Sequence, residues 1–483
     1  MLTVLTVLTA LTVSSLITHP YSVWSGLGAL LDPTEGSLGG FTIGMPISSV
    51  IGYLNTKLRD EIPQCELIYS ASNPLALHIS INLPATGLRL RIDAVSQRLV
   101  VIEVLDMFAL TLRFAGKIIS GPRTPLTFVN VQKHFGPTSP GRYDDARQQY
   151  IHAYSGFALY FAIPSKHQAF VKNSATFGMF PDGTTPVAAK ICLYHGKWDR
   201  PTLPPLPLGS LYMQKVVVDV RHGLHFPLER TVVRFGDTCQ DVFSELGAPN
   251  HVFHKADVRA IVATNSRQGS DSDYFYNYFD RGLDVLFDAQ THSVKKFILH
   301  CNFPGHFDFN RYSKCNFRLL GSSLVARHSR SAVGPASKQP ASFGELDGEP
   351  PTEVLVDVSG PVSTSSKRNR DADSSRGSAE AGVHENPFNV DLASVLADDP
   401  SENDPYETVK AQECRVIHPN MTWDAVQHLI GRPRGKPAVY NKEVTLNPFG
   451  TVQFHGFNGA IFEIMNNNHI ASVTVFRPAV ATC

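Results

Sequence analysis

The stretch Gly282-Leu283-Asp284-Val285-Leu286-Phe287-Asp288-Ala289, followed by a turn and by Val294 to Leu299, decides the fold because the chain uses it more than once. Gly87 to Ala94, a turn and Leu99 to Val104 align with it without a gap. A third copy begins at Gly459, has a turn one residue shorter and ends at Phe476. Such repetition indicates that one supersecondary unit is used several times. It favours a framework with surfaces over a single catalytic pocket.

The repeated block has the alternation of a half-buried β-hairpin. Leu88, Leu90 and Ile92 point to one side, and the polar residues between them point to the other. A period of two is typical of an antiparallel strand with one covered face. The turns, residues 94–98 and 289–293, are short, as hairpins require.

A short amphipathic helix precedes each hairpin. Apolar residues at helical spacing place one apolar stripe on each helix. They are Ile47, Val50, Ile51, Leu54 and Leu58 in the first helix, Phe128, Val131 and Phe135 in the second, Cys239, Val242, Phe243 and Leu246 in the third, and Trp423, Val426 and Ile430 in the fourth. Thr238 and Thr422 are predicted N-caps, and Thr238 with Asp241 resembles a capping box. Three of the helices end at a Gly followed closely by Pro.

The chain is therefore predicted to be an α+β protein, dominated by antiparallel sheets that are built from four repeated helix–hairpin units. The second unit is degenerate. Gly156 to Phe161 gives its first strand, but the next clear strand lies near Val187 to Leu193.

Composition along the chain predicts four segments. Residues 1–30 form an apolar extension, and residues 31–320 form a folded body with three of the units. Residues 321–412 are rich in Ser, Pro, Gly, Ala, Asp and Glu, which predicts a disordered insertion. Residues 413–477 form the fourth unit. We expect this unit to pack on the body, because it would bury little apolar surface alone, so that the insertion is looped out.

The overall composition constrains the class of protein and its compartment. The 483 residues have a formal net charge of +0 at pH 7, which gives no global nucleic-acid footprint. The 7 cysteines form no Cys-x-x-Cys pair, which favours free thiols in a reducing compartment. The uncharged run Leu2 to Ile17 is short for a membrane span and lacks a basic flank. We expect a disordered extension there; the alternative is a targeting segment, with a signal peptide within residues 1–20.

The sequence contains no recognisable catalytic or cofactor motif. It has no phosphate-binding glycine loop, no Gly-x-Ser-x-Gly elbow and no His-Glu-x-x-His. His300, Cys301, His306 and Cys315 are the best metal candidates. Their spacing matches no known zinc module, and residues around a strand end explain them better. We therefore predict no catalytic, cofactor-binding or metal-binding residue and no small-molecule substrate.

Two further groups of residues are given structural interpretations. Asp93 and Asp288 occupy equivalent positions in two repeats, and we expect them to initiate hairpin turns rather than to form a carboxylate pair. The aromatic run Tyr274 to Phe279 is expected to be a strand covered on both faces. The alternative for this run is a binding face.

Short linear motifs lie in the predicted insertion. Phe343 and Leu346, with acidic neighbours, resemble the motif that docks on ubiquitin-like autophagy modifiers by strand addition. Asn386-Pro387-Phe388 resembles the ligand of endocytic EH domains. The basic run Lys367 to Arg370 is expected to be solvated; the alternatives are contact with acidic lipid and a phosphorylation region. Motifs of this length also occur by chance.

Longer stretches carry a resemblance to a known family. They are Phe41 to Pro46, Phe235 to Val242, Leu246 to Pro249, Asp273 to Phe279, Gly282 to Asp288, Asn302 to His306, Asn447 to Gly450 and Asn466 to Thr474. From about Leu31 to Phe476 the chain resembles the phagosome assembly factor 1 family. It departs from the family's pattern in the apolar first 30 residues and in a longer insertion at 321–412.

The resemblance implies a non-enzymatic, cytoplasmic autophagy adaptor or scaffold. It also implies a WD40-propeller partner of the breast carcinoma-amplified sequence 3 type, and association of the pair with phosphoinositide-bearing membrane at the phagophore assembly site. No catalytic residue is carried over. The alternative is a trafficking module on Golgi-derived vesicles that binds lipid or cargo without the propeller. A hydrolase would require titratable side chains from separate units to converge in a deep pocket.

Overall fold

The computed structural model describes residues 2–7, 28–33, 36–57, 65–173, 178–255, 272–324, 415–433, 435–440 and 451–478. These residues form an α+β structure with mainly antiparallel sheets, as predicted. The described α-helices are α1 (Ile47–Lys57), α2 (Phe128–Phe135), α3 (Gln168–Asn173), α4 (Cys239–Leu246), α5 (Gly321–Leu324) and α6 (Trp423–Ile430). Four of them, α1, α2, α4 and α6, are the helices that the apolar spacing predicts. The sequence pattern did not reveal α3 or α5.

The strands fall into two successive stretches of the chain. In the first stretch they are β1 (Leu2–Val7), β2 (Gly28–Asp32), β3 (Ser37–Leu38), β4 (Phe41–Thr42), β5 (Cys65–Ser70), β6 (Ile79–Leu83), β7 (Leu88–Ile92), β8 (Leu99–Val104), β9 (Thr111–Phe114), β10 (Lys117–Ser120), β11 (Arg142–Asp144), β12 (Gln149–Ala153), β13 (Phe157–Ala162), β14 (Ala188–Gly196) and β15 (Pro201–Thr202). In the second they are β16 (Lys215–Asp219), β17 (Gly223–Phe226), β18 (Thr231–Arg234), β19 (His251–His254), β20 (Tyr274–Tyr278), β21 (Leu283–Phe287), β22 (Val294–His300), β23 (Asn316–Leu320), β24 (Val416–Ile417), β25 (Ala438–Tyr440), β26 (Val452–Phe457), β27 (Ala460–Ile464) and β28 (Ile470–Phe476).

Two large sheets share one pattern of strand order. The ten-stranded sheet follows β1-β5-β6-β7-β8-β14-β13-β12-β11, with β15 paired to β14. The eight-stranded sheet follows β19-β20-β21-β22-β28-β27-β26-β25. In each, two antiparallel meanders meet through their last strands, β8 with β14 and β22 with β28.

Two five-stranded sheets complete the described structure. Their orders are β10-β9-β2-β3-β4 and β18-β17-β16-β23-β24. Each contains one parallel pair, β2 with β9 and β16 with β23. The apolar interior of the described residues correspondingly forms two large clusters, beside two small ones. One large cluster is formed by residues between Leu31 and Leu193, and the other by residues between Val216 and Val475. We refer to these parts as the first half and the second half.

Each of the four predicted helices begins beside the start of a strand in one of the two large sheets. The first helical N–H donates to the carbonyl of the residue two positions before that strand. The pairs are Ile47 to Gln97 at 2.8 Å, Phe128 to Pro186 at 2.9 Å, Cys239 to His292 at 3.0 Å, and Trp423 to Asn468 at 2.8 Å. The predicted N-caps are confirmed, and Thr238 forms a complete capping box with Asp241. These bonds satisfy donors that a helix cannot pair internally.

The hairpin turns also form as the sequence predicts. Asp93 accepts from the Ser96 N–H at 2.7 Å, and Asp288 accepts from the N–H groups of Gln290 and Thr291 at 2.9 Å. Both aspartates are therefore turn residues. Gly282 has φ +66°, a conformation that favours glycine. A register shift lies within β7–β8, β13–β14, β21–β22 and β27–β28 alike.

Two segments differ from the expectation of disorder. Leu2–Val7, in the apolar extension, form β1 and pair antiparallel with β5. The run is rich in Leu, Val and Thr, and β-branched residues favour strands. Residues 321–324, assigned to the insertion, form the short helix α5, with Gly321 and Leu324 buried. Leu320 of β23 pairs with Val416 of β24, and the Gly321 N–H donates to the Arg415 carbonyl at 2.8 Å. Residues 325–414 lie outside the described ranges.

Candidate functional site

The four metal candidates lie at the end of β22 and in the segment that follows it. We call residues 301–315 the connector. His300 and His306 direct their rings to carboxylates, and Cys301 and Cys315 are buried thiols. Burial raises the pKa of both cysteines. Among the described residues, no group of three or more His, Cys, Asp or Glu side chains is placed to hold a metal ion.

One polar cluster holds the C-terminal part of the connector on the sheet. Asp284 of β21 accepts from Tyr312 at 3.0 Å and from Asn277 at 2.7 Å, and its other contact is His300 Nε2 at 2.9 Å. The rings of His300 and Tyr312 stack, with centroids 3.7 Å apart. Asp284 is only 5% exposed. The carboxylate is thus surrounded by hydrogen-bond partners, as a buried charge requires.

A second polar cluster holds the N-terminal part of the connector. Glu463 of β27 contacts His306 Nε2 at 3.1 Å and accepts from Ser472 Oγ at 2.5 Å. Burial raises the pKa of Glu463, but the hydrogen bond and charge of His306, with the Ser472 bond, outweigh it and lower the pKa overall. Ser472 and His300 are neighbours on β28 and β22. The two clusters therefore lie side by side beneath the connector.

The connector also contacts the first hairpin of the first half. Gln97 and Asn302 exchange two hydrogen bonds, and the Lys314 ammonium donates to the Val95 carbonyl at 3.2 Å. Lys314 is 1% exposed and its Nζ lies 4.8 Å from the centre of the Phe303 ring. Burial lowers the pKa of Lys314 to about 8. These contacts join the two halves through buried polar groups that are hydrogen-bonded to each other. None of them activates a hydroxyl or thiol as a nucleophile.

A different set of side chains lies on the outer face of the eight-stranded sheet. Successive cross-strand partners form one row, which we call the outer aromatic row: Phe253, Phe275, Leu286, Lys296 and Phe476. Phe253 is 49% exposed, Phe275 and Phe476 are half-buried, and Leu286 is buried. On the tyrosine face of the predicted aromatic strand, Tyr274 and Tyr278 are buried and Tyr276 is half-buried. The expectation that both faces are covered is therefore wrong at Phe275 and Tyr276.

Two lysines lie close to rings of the outer aromatic row, Lys255 beside the row and Lys296 within it. Lys255 Nζ lies 5.3 Å from the centre of the Phe275 ring, and Lys296 Nζ lies 6.0 Å from that of Phe476. Desolvation lowers the pKa of Lys255; Asp273 opposes this, while Lys296 and Lys295 lower the pKa further. Lys295 is paired with Asp273 and Asp288. The row thus combines aromatic rings with basic side chains.

The predicted linear motifs fall elsewhere. Phe343, Leu346, Asn386, Pro387 and Phe388 all lie outside the described residues, as does the basic run 367–370. Among the residues that the structure describes, there is no helix with the length and apolar character needed to cross a membrane.

Comparison with known proteins decides the family. The family profile described as Phagosome assembly factor 1 matches residues 37–355 and 398–476. This chain belongs to the phagosome assembly factor 1 family. The profile covers Phe343 and Leu346, and it leaves out Asn386 to Phe388 and the first 36 residues. The family name describes an assembly factor.

Relatives in the phagosome assembly factor 1 family align along most of this chain. A PHAF1 protein of Arabidopsis thaliana is 32% identical over 458 residues, with 91% of each chain covered. One from Drosophila melanogaster is 30% identical over 475 residues, again with 91% of each covered. A Caenorhabditis elegans PHAF1 protein is 30% identical over 313 residues, covering 58% of this chain and 74% of that protein. No solved structure matches the chain significantly.

Sequence reasoning found the connector as a family signature but missed its chemistry. Asn302 to His306 and the stretch with Asp284 marked the family, whereas Gln97 and Lys314 carried no signal. A charged residue inside an otherwise apolar strand, as at Asp284 and Glu463, is the local hint of a buried polar partner.

Proposed function

We propose that this protein is a non-enzymatic adaptor in phagosome assembly, cytoplasmic and peripheral to membranes. In this proposal it binds a WD40-propeller protein of the breast carcinoma-amplified sequence 3 type, and the pair associates with phosphoinositide-bearing phagophore membrane. Membership of the phagosome assembly factor 1 family supports the role in assembly. The propeller partner and the phosphoinositide association rest on the family resemblance.

The outer aromatic row is the observation that carries the adaptor proposal. Protein interfaces centre on aromatic anchors, with charged residues at the rim. Phe253 and Phe275 have ring centroids 6.4 Å apart, and Phe253 is about half exposed. Lys255, beside the row, and Lys296, within it, would steer an acidic partner surface towards the rings. We place the propeller on this face.

A binding experiment with purified proteins tests this surface. Phe253→Asp should weaken binding of the purified propeller partner to the full chain at least tenfold, because a charge would be buried at the anchor. The matched control is Phe108→Asp, since Phe108 is 50% exposed and lies in the first half. Equal affinities of Phe253→Asp and the wild-type chain would remove the row from the proposal. Failure of the wild-type chain to bind any WD40 partner would remove the adaptor function itself.

The same row gives a specific reason to keep the second candidate function. Aromatic rings beside lysines also suit the interface of an anionic bilayer. A Golgi or vesicle-trafficking module would use them to bind lipid directly, without the propeller. Flotation of the chain alone with vesicles containing phosphatidylinositol 3-phosphate separates the two functions. Flotation without the propeller, together with no binding to the propeller, would favour the trafficking module.

We also propose an organisation of the chain. The recurrent helix-to-turn bonds and register shifts support four helix–hairpin units, paired within each large sheet. Residues 325–414 form an insertion between the third and fourth units. Residues 8–27, outside the described ranges, belong to an N-terminal extension. N-terminal sequencing of the purified protein would establish whether this extension is cleaved.

The linear motifs of the insertion are secondary docking sites in this proposal. Phe343 and Leu346 would bind a ubiquitin-like autophagy modifier, and Asn386-Pro387-Phe388 would bind an EH domain. Alanine at Phe343 and Leu346 should abolish binding of the purified modifier and leave propeller binding intact. Alanine at Phe388 should do the same for a purified EH domain. Retained binding in either variant would discard that motif.

A further inference from the structure

The segment that joins the two halves is rich in proline and leucine, and the proposed function gives it no role. Its sequence is Leu203-Pro204-Pro205-Leu206-Pro207-Leu208-Gly209, between β15 and β16. Residues 203–207 form no helix, strand or turn. Pro fixes φ near −65°, and a residue before Pro is confined to the extended region. Every residue from Leu203 to Pro207 is either a proline or precedes one, so polyproline II is the conformation open to all five.

Contacts on the N-terminal side hold this segment in place. Pro201 and Thr202 pair with β14, and Leu203 packs against a small cluster that contains Val100 and Val101. The Arg98 guanidinium donates to the Pro204 carbonyl at 2.9 Å. The segment is therefore tied to the ten-stranded sheet up to Pro204.

Contacts on the C-terminal side hold it again. The Ser210 N–H donates to the Pro207 carbonyl at 3.0 Å. The Tyr212 hydroxyl donates to the Ser96 carbonyl at 3.0 Å. Residues 205–209 consequently form a short exposed span between two anchors, and little backbone entropy remains to be lost on binding.

The exposed span is apolar. Leu206 is 43% exposed, Leu208 is fully exposed, and Pro205 and Pro207 are exposed. A spacer between halves would account for the prolines, which stiffen a linker. It does not account for leucines directed into solvent at both sides of Pro207.

We propose that Pro204-Pro205-Leu206-Pro207 is a docking segment for a partner with an aromatic-lined groove of the WW type. Such grooves accept preformed polyproline II ligands through prolines and neighbouring aliphatic side chains. Residues 203–211 contain no charged side chain, so the segment offers nothing to the acidic pocket of an SH3 groove. The nearest upstream cation, Arg200, precedes the sheet-paired Pro201 and Thr202.

Calorimetric titration of the full chain with a purified WW domain selective for Pro-Pro-Leu-Pro ligands tests the proposal. Wild type should bind, and Pro207→Ala should bind at least tenfold more weakly, a loss of about 1.4 kcal/mol. Leu206→Asp is a second variant with the same expectation. Pro181→Ala is the matched control, because Pro181 is an exposed proline outside the segment, and it should bind as wild type does.

Three outcomes would overturn the proposal. They are absence of binding by the wild-type chain, unchanged affinity of both Pro207→Ala and Leu206→Asp, and equal affinity for a purified SH3 domain. Thermal unfolding of each variant guards against a folding defect, and the exposed positions of both residues predict unchanged midpoints. None of these outcomes depends on the outer aromatic row, so the segment and the propeller interface are tested separately.

Discussion

Gln97 and Asn302 bind each other through two hydrogen bonds although 205 positions separate them. The Gln97 amide donates to the Asn302 carbonyl at 2.7 Å, and the Asn302 amide donates to Gln97 Oε1 at 2.8 Å. Gln97 is 1% exposed, and its backbone has φ 53° in the first hairpin turn. The pair fixes the position of the connector against the first half.

Replacing Gln97 should therefore lower the free energy of unfolding. Gln97→Ala leaves the Asn302 amide and carbonyl buried without these partners, which should cost about 2 to 4 kcal/mol. His292→Ala is the matched control. His292 occupies the same turn position with φ 51°, but it is exposed and contacts the Tyr274 hydroxyl through a single bond of 3.0 Å. Backbone strain from alanine is then similar in both variants, and His292→Ala should cost about 1 kcal/mol beyond that strain, for the lost bond to Tyr274. Urea unfolding measures the free energy of unfolding of both variants. Equal losses of stability in Gln97→Ala and His292→Ala would show that the hydrogen bonds between Gln97 and Asn302 do not stabilise the fold.

The repeat glycine Gly282 predicts a second difference. A Cβ atom there would collide with the Ser313 carbonyl and lie 2.7 Å from the Cys315 nitrogen, both in the connector. At Gly236, which also has positive φ, a Cβ atom would meet nothing within 4 Å. Both alanine variants share a left-handed strain of about 1 to 2 kcal/mol. Gly282→Ala should lower the free energy of unfolding by at least about 2 kcal/mol more than Gly236→Ala does, because the connector must shift. Denaturant unfolding measures this difference. A similar loss in the two variants would show that the connector yields freely.

Lys314 gives a prediction at alkaline pH. Its ordinary pKa is 10.5, and burial lowers the pKa in the folded protein to about 8. Between these values the unfolded chain binds more protons than the folded one, so stability rises with pH. As pH rises from 8 to 10.5, the free energy of unfolding of wild type should increase relative to that of Lys314→Met. The increase should be about 1.4 kcal/mol for each unit that separates the folded and unfolded pKa values of Lys314. The pH series of both proteins cancels the titration of other groups. A difference that stays constant with pH would mean that Lys314 keeps its proton.

Glu463 gives the opposite dependence at acid pH. Its pKa is lowered from the ordinary 4.5 in the folded protein. The stabilisation is therefore complete above pH 4.5 and is lost as pH falls through the folded value. The stability advantage of wild type over Glu463→Gln should shrink as pH falls below 4.5. Denaturant unfolding at a series of pH values measures it. An advantage that persists unchanged at the lowest pH would contradict the ion pair with His306.

Local pattern was enough for the helices and hairpins. Thr238 and Asp241 lie three residues apart, and the apolar stripes of α1, α2, α4 and α6 repeat within one or two turns. Signals of this range are contained in a short window of sequence. The same holds for Asp288, whose turn bonds reach only two and three residues ahead.

The connector and the outer aromatic row could not be predicted in this way. Lys314 belongs to a residue type that is almost never fully buried, so its sequence position suggested the surface. Phe253 and Phe476 lie on one row only because β19 to β22 and β28 are neighbours in a given order and register. A shift of one residue in any of these pairings would turn the side chains to the other face.

The corner where β23 meets β24 has a consequence for changes in chain length. The fold itself holds residues 320 and 416 together, so the segment between 325 and 414 is closed at its base whatever its length. By closure entropy alone, doubling the number of residues between two fixed ends costs only about 0.6 kcal/mol. A change in the number of residues between 325 and 414 should therefore leave the pairing of Leu320 with Val416 in place.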